Sequence, residues 1–343
     1  MSTVAERAGV SAKTVSNVIN GTGSFSPETE RRVRAAVAEL GYRTNPFARG
    51  LRSRRTGTIA LVLANVHQPF HAELAEQVIR APETQGLKVV VETTRGNPDR
   101  ERSALCASHG GLVDGVIYLP HALTPEEYLT VPPTQPTVVL GECPEGAAER
   151  SLDHVGIADE EGAHAAVGHL LAQGRRRIAA ICEQAEPRAG ARRLQGYRRA
   201  LAEAGVPYDD SLVIGVANAD LWSSGAGAVT RLLRTRVGFD ALFCYNDVAA
   251  IGALSVLERS GVAVPDDVAV AGFDDIEAAR FTSPPLTTVD AQRESAARRA
   301  VALLRSRMDL ADFRELPGRC ESAGFVLRVR GSSSAVEGGV GPG

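Results

Sequence analysis

Two sets of residues in this 343-residue chain have types and spacing suited to chemistry. The first lies within one nine-residue stretch, Ala12 to Asn20, and comprises Lys13, Thr14, Ser16, Asn17 and Asn20. At helical spacing Lys13, Ser16, Asn17 and Asn20 share a face, and short or flexible hydrogen-bonding groups of this kind suit base edges and phosphates. The second set is dispersed: Phe70, His71, Arg193, Asn246 and Asp274. A guanidinium fork, an amide, a carboxylate and one flat wall can hold a small polyol or purine by hydrogen bonds. Signatures of catalysis do not accompany them. Ala64-Asn65-Val66-His67 stands where a dinucleotide-binding Gly-x-Gly-x-x-Gly loop would follow the first strand, and no Walker A loop or nucleophile elbow occurs. The histidines and carboxylates lack metal-ligand spacing. The expectation is a binding protein with no catalytic residue, no cofactor and no metal site.

The first set sits in a basic head. Residues 1–56 hold ten Lys/Arg against four Asp/Glu, a net +6 on a chain whose total is −3. A basic end on an acidic body is the footprint of polyanion binding by that end alone. Val4 to Ala8 reads as a short helix, Gly9 as a turn and Ser11 as the cap of a second helix. Val15, Val18 and Ile19 give that second helix an apolar stripe opposite the polar face. Two short helices joined by a tight Gly turn form a helix-turn-helix, whose second helix fits a DNA major groove. An ordinary hairpin with a solvated face is the bland reading of the same stripe. A third helix follows, with Ser26 as N-cap, Pro27 at the first helical position and Val33, Ala36, Val37 and Leu40 buried. The stretch from Gly41 to Thr56 reads as an Arg-rich linker that also touches DNA.

In the body, Val/Ile/Leu/Ala runs alternate with helical stretches. Strands are expected at Thr58–Ala64, Lys88–Glu92, Gly115–Leu119, Thr137–Gly141 and His154–Ala158. Further strands are expected at Arg177–Cys182, Leu212–Val216, Asp240–Tyr245 and Asp267–Gly272, with a crossover strand at Ser283–Val289. Strands spaced by helices predict parallel sheets covered on both faces, formed twice. The fold class is thus an all-α helix-turn-helix head plus an α/β body of two doubly wound parallel-sheet lobes. Ligands in such sheets bind beyond the carboxyl ends of the strands, which is what selects Phe70, His71, Arg193, Asn246 and Asp274, with Gly141 leaving space. Each has a structural reading as well: Phe70 as core, Arg193 as a surface residue, and Asp247 beside Asn246 as a helix N-cap. The five cysteines are odd in number and scattered, and read as free thiols in a reducing cytoplasm. The tail from Gly331 lacks apolar pattern and is expected to be disordered.

Val4-Ala5-x-x-Ala8-Gly9-Val10-Ser11-x-x-Thr14-Val15-Ser16-x-Val18-Ile19-Asn20, followed by Tyr42-x-x-Asn45-x-x-Ala48-Arg49-x-Leu51-Arg52, resembles the lactose-repressor (LacI/GalR) family of bacterial transcription regulators. The resemblance runs from Ser2 to about Gly331 and implies that the two lobes are of periplasmic-binding-protein type. It implies a hinge helix from Asn45 to Ser53 in which Asn45, Ala48 and Arg49 touch DNA and Leu51 wedges into the minor groove, with Ser26 among the DNA contacts. An apolar wedge of this kind kinks the duplex by unstacking it. Gln68-Pro69-Phe70-His71, Arg193-Leu194-Gln195-Gly196-Tyr197, Tyr245-Asn246-Asp247 and Gly272-Phe273-Asp274-Asp275 resemble the family's effector-binding segments. The implied roles are hydrogen bonds to a small effector from Arg193, Asn246 and Asp274, and packing by Phe70 or His71. Three departures are visible. Gly141 stands where many relatives have a charged ligand-binding side chain, and Asp220 where an aromatic often stacks. Asn17 replaces a frequent Arg, which would favour adenine over guanine. At the start, Thr3 with Glu6 offers a substitute capping box, unless the true start lies upstream.

The expected layout is a DNA-binding domain at 1–43, a hinge at 44–56, an effector-binding and dimerisation domain at 57–330, and a tail at 331–343. Within the body, lobe 1 is expected at about 57–156 and 290–317, and lobe 2 at about 157–289 and 318–330. The implied partners are double-stranded, pseudo-palindromic operator DNA, a small-molecule effector (a sugar or related polyol) and a second copy of the chain, with no membrane. A periplasmic-type solute-binding protein shares the body but would need a signal peptide and would not carry the basic head.

Overall fold

A computed structural model describes residues 1–42, 55–82, 86–106, 111–183, 189–216, 221–235 and 237–334. The chain divides into two compact units, Met1–Thr56 and Gly57–Gly343.

The first unit is helical. Helix α1 (Ser2–Ala8) ends at Gly9, whose φ of 62° is left-handed backbone that glycine adopts without strain. Helix α2 (Ala12–Asn20) is capped by Ser11, whose side chain accepts from the Thr14 backbone N–H, and α3 (Pro27–Glu39) is capped by Ser26 in the same way. Val4, Ala8, Val15, Val18, Val33 and Ala36 close over one small core. Thr3 does not cap α1: the helix begins at Ser2, so Thr3 already has helical backbone and cannot take the extended conformation of a cap.

The second unit holds two six-stranded sheets. The first runs β2-β1-β3-β4-β5-β11 and is parallel throughout. Its strands are β1 (Thr58–Leu63), β2 (Lys88–Thr93), β3 (Gly115–Tyr118), β4 (Thr137–Leu140), β5 (Asp153–Gly156) and β11 (Cys320–Ser322). The second runs β7-β6-β8-β9-β10-β12, with β12 the antiparallel member. It comprises β6 (Ile178–Glu183), β7 (Val213–Val216), β8 (Ala241–Cys244), β9 (Ala269–Asp274), β10 (Thr287–Asp290) and β12 (Val326–Arg328). Central strands β3, β4, β8 and β9 are buried along their whole length, as expected for parallel strands with helices on both faces. The flanking helices used below are α4 (Pro69–Arg80), α5 (Pro98–Leu105), α6 (Pro125–Thr130), α7 (Asp159–Ala172), α8 (Ala189–Glu203), α9 (Leu221–Thr235), α10 (Asp247–Arg259) and α11 (Arg293–Met308).

Two boundaries differ from the sequence expectation. Residues 318–330 do not all belong to the second lobe, because β11 pairs with β5 of the first sheet, Cys320 beside His154. The cause is a fully buried carboxylate, Asp153, which accepts from Arg307 Nη2 at 2.7 Å and from Arg319 Nη2 and backbone N–H at 2.8 Å each. Burial pushes the Asp153 carboxyl up, but the hydrogen bonds from Arg307 and Arg319 outweigh it and hold it below its usual value. The second difference is the tail. Ser332 is fully buried; its Oγ donates to Val270 O at 2.6 Å and accepts from the Thr287 backbone N–H at 2.8 Å. Polar side chains that stitch a segment to strand ends carry no hydrophobic pattern, so these residues read as tail in sequence.

Candidate nucleic-acid interface and ligand cleft

In the head, α2 places Lys13 in solvent and leaves Thr14 and Asn17 partly exposed. Thr14 Oγ1 lies 2.9 Å from Ser11 Oγ at the helix start. Ser16 departs from the expected polar face: it is 8% exposed and turned toward the core side with Val15. Asn20 ends the helix. The turn after α2 restrains Asn17, since a Cβ at Gly23 (φ +83°) would meet Asn17 Nδ2 at 3.0 Å. Ser26 is exposed, but its Oγ accepts from the Thr29 backbone N–H at 3.2 Å and serves as a cap. Asn45, Ala48, Arg49 and Leu51, the hinge contacts implied by resemblance, lie outside the described residues. The arrangement is a small folded platform displaying hydrogen-bonding groups on one helix, with basic residues nearby.

In the second unit, the carboxyl ends of both sheets border a cavity of about 470 Å³. Phe70, His71, Arg193, Asn246 and Asp274 all line it, so five residues spread over about 200 positions converge there. His71 and Phe70 come from the first turn of α4, and His71 Nδ1 lies 3.0 Å from Asn65 O. Arg193 comes from α8, Asn246 from the cap of α10, and Asp274 from the end of β9.

The polar members are bonded to one another before any ligand enters. Arg193 Nε donates to Asp159 Oδ1 at 2.8 Å, its Nη1 donates to Tyr245 O and lies 3.5 Å from Asp274 Oδ1, and the guanidinium stacks 3.7 Å above the Phe273 ring. Burial lifts the Asp274 carboxyl to about 7, against the pull of Arg193 and Arg293. Asp274 and Asp275 both have positive φ, 113° and 51°. Arg293 holds this bend by donating to the carbonyls of both residues, and it pairs with Glu73 of α4 at 2.9 Å.

Asn246 takes the capping role expected of Asp247 while still lining the cavity. Asn246 is the N-cap, its Oδ1 accepting from Ala249 N–H at 2.8 Å, and its amide nitrogen is what it can offer the cavity. Asp247 is fully buried and accepts from Ile276 N–H at 2.9 Å and Thr288 Oγ1 at 2.5 Å, bracing the ends of β9 and β10. The close approach requires Gly272, where a Cβ would lie 2.3 Å from Asp247 Oδ1.

Among the lining residues that the sequence reading missed are Asp159, Glu142 and Arg192. Asp159 begins α7 immediately after β5, and the strand-end rule could have found it. Glu142 and Arg192 form an ion pair across the cavity, from the loop after β4 to the start of α8. Burial is the main cause lifting the Glu142 carboxyl to about 7, opposed by Arg192. Glu142 adjoins Gly141, where sequence reading saw only an empty place. Among the described residues, the charged groups on the lining are Glu126, Glu142, Asp159 and Asp274 against Arg192 and Arg193. A cavity with more carboxylates than cations, Arg193 already engaged, suits neutral ligands rich in hydroxyls and disfavours anions.

The cysteine expectation is corrected. Cys143 and Cys320 form a disulfide, with Cα atoms 5.7 Å apart. Their sequence separation of 177 residues hid the pair, which exists because β11 lies beside β5. Cys106, Cys182 and Cys244 are free thiols.

Comparison with known proteins agrees with both halves. Residues 1–45 match the family described as bacterial regulatory proteins, lacI family, and residues 167–333 match a periplasmic binding protein-like domain. The chain is 38% identical to the HTH-type transcriptional regulator CelR of Thermobifida fusca, over 89% of this chain and 90% of that protein. It is 32% identical to the HTH-type transcriptional repressor PurR of Haemophilus influenzae (strain PittEE), over 90% and 91% respectively. Among solved structures, a transcriptional regulator CelR–cellobiose complex is 35% identical, covering 96% of this chain and 98% of that one, with a TM-score of 0.70. A lac repressor dimer bound to operator, 23% identical with a TM-score of 0.84 and covering 97% of this chain and 98% of that one, shares the fold.

Proposed function

The chain belongs to the lacI family of bacterial regulatory proteins, and from that premise we propose that it represses transcription by binding operator DNA under the control of a neutral sugar. It is a DNA-binding transcription regulator and not an enzyme. The observation that carries the effector reading is the cleft: about 470 Å³, with carboxylates in excess of arginines among its described lining residues and an aromatic wall at Phe70. That volume is within the ~300–1,000 Å³ usual for small-molecule sites. The sugar reading also draws on the relative whose structure contains cellobiose.

Lys13, Thr14 and Asn17 supply contacts from α2, and Asn45, Ala48, Arg49 and Leu51 supply hinge contacts to backbone and minor groove. A homodimer presents two recognition helices to a pseudo-palindrome with half-sites about one helical turn apart. Val90 and Val91, on the edge strand β2, are 44% and 39% exposed, apolar surface that a second copy would cover. No described helix is long and apolar enough to cross a membrane, and a regulator of this kind works in the cytoplasm, where its DNA is. Effector binding shifts operator affinity only through its differential affinity for open and closed lobes. The Glu142–Arg192 pair and the hydrogen bonds that Arg293 donates to the Asp274 and Asp275 carbonyls bridge the lobes and are the contacts that such a shift would alter.

Gel shifts with the DNA upstream of its own gene, with and without cellobiose and with glucose 6-phosphate as anionic control, test this. A cellobiose-dependent change with no response to the phosphate is expected. A response to the phosphate alone would overturn the neutral-ligand reading, and no operator binding would overturn the DNA reading.

A further inference from the structure

Cys106 is a lone exposed thiol, and the other four cysteines fall into two classes. Cys182 and Cys244 are buried in the second sheet, where burial pushes the Cys182 thiol up to about 12 and that of Cys244 well above its usual value. Thiols in such surroundings are inert. Cys143 and Cys320 are exposed and joined to each other. Their Cα separation of 5.7 Å is ordinary for a bridge between fixed backbones.

The two ends differ in how firmly they are held. Cys320 opens β11, which is tied to β5 by the Asp153–Arg319 hydrogen bonds and by His154 N–H donating to Arg319 O at 2.7 Å. Cys143 lies in the loop after β4, next to Glu142, whose carboxylate pairs with Arg192 across the cleft. Gly141, Glu142 and Pro144 from that loop line the cavity. The bridge therefore joins a fixed strand to the lip of the cleft. His154 lies near both sulfurs, within 4.8 Å. Its ring nitrogens are engaged, Nδ1 with Leu152 O at 3.1 Å and Nε2 with Tyr128 Oη at 3.2 Å, so the three residues make a dithiol with a polar neighbour rather than a metal cage.

We propose that Cys143 and Cys320 form a reversible thiol–disulfide switch that sets the position of the Glu142 loop and thereby the affinity of the cleft. Disulfides in the compartment where a DNA-bound regulator works are usually transient and redox-sensing. The oxidant is a hydroperoxide. One thiolate attacks the peroxide oxygen and breaks the O–O bond, giving a sulfenic acid and releasing an alcohol, or water from hydrogen peroxide. The second thiolate attacks the sulfenic sulfur, forms the S–S bond and expels water. The two thiols lose two electrons and two protons, and the peroxide takes up both. Reduction by thiol exchange reverses the step. Only the affinity readout rests on the effector reading given above.

The full chain is treated with hydrogen peroxide or dithiothreitol, alkylated with iodoacetamide and weighed intact, and hydrogen exchange is followed at residues 141–147. Peroxide should remove two alkylatable thiols from the wild type, reversibly, and slow exchange at 141–147 at least tenfold relative to the reduced form. Cys320→Ser and Cys143→Ala, both at exposed positions, should abolish the exchange difference while melting as reduced wild type does. Cellobiose affinity should differ at least threefold between oxidised and reduced wild type and not at all in the variants. Failure to lose the two thiols, or equal exchange in both forms, overturns the switch; equal cellobiose affinity with altered exchange overturns its coupling to the cleft. If cellobiose binds neither form, the effector reading fails while the thiol count and exchange still decide the switch.

Discussion

The recognition helix and the ligand cleft hold their functional side chains in opposite ways. On α2, Lys13 stands in solvent and Asn17 is partly exposed, and both can be removed without opening the core below. In the cleft, Arg193, Asp159 and Asp274 are buried and satisfy one another. Water competes with DNA for the head's groups, whereas a cleft closed to water must pair its own polar atoms before a ligand arrives. The same kind of residue is thus separable from stability in one region and inseparable from it in the other.

The largest effect expected from that contrast is at Arg193. Arg193→Ala leaves Asp159 and Asp274 without their shared cation, and breaking a buried pair costs about 3–5 kcal/mol. Urea denaturation should show this, alongside loss of the effector response, and unchanged stability would show that the cleft is as independent of the fold as the head is. Lys13→Ala and Asn17→Ala should each weaken operator binding by about 1–3 kcal/mol. Their unfolding free energies should move by less than about 0.5 kcal/mol, so a variant that loses both equally would place its side chain in the core rather than on the DNA. Gly23→Ala tests the one place where the head borrows the cleft's logic. With φ at +83° and Asn17 Nδ2 at 3.0 Å from the added Cβ, it should cost about 1–2 kcal/mol of stability and also displace Asn17, lowering operator affinity.

The last effect is graded rather than all-or-none, a pH slope. The Asp274 carboxyl sits at about 7 in the folded protein, above its ordinary value of 3.8. A raised acid means that the folded state holds its proton more tightly, so the cost of ionising it grows from pH 4 upward and is complete above about 7. Between pH 5 and pH 8 the wild type should therefore lose stability relative to Asp274→Asn, as followed by thermal melting. A difference independent of pH would mean that Asp274 stays ionised throughout that range.

Periodicity and strand-end position made much of both regions legible. The stripe Val15, Val18, Ile19 and the caps Ser11 and Ser26 define a helix-turn-helix from local chemistry alone, because helical spacing and capping depend on near neighbours. The alternation of apolar runs with helices likewise fixed two parallel sheets, and the rule that ligands meet the carboxyl ends of strands brought Phe70, His71, Arg193, Asn246 and Asp274 to one cavity. Tertiary structure alone decided which of two adjacent polar residues did what: Asn246 caps while Asp247 braces β9 and β10, a close approach that needs Gly272, where any Cβ would stand 2.3 Å from Asp247 Oδ1. It also decided that Ser16 is buried, that Glu142 reaches Arg192 across the cleft, that Ser332 ties together the starts of β9 and β10 and that Cys320 meets Cys143. Each of these depends on partners far away in sequence, and a contact between distant residues leaves no periodic trace in either segment that makes it.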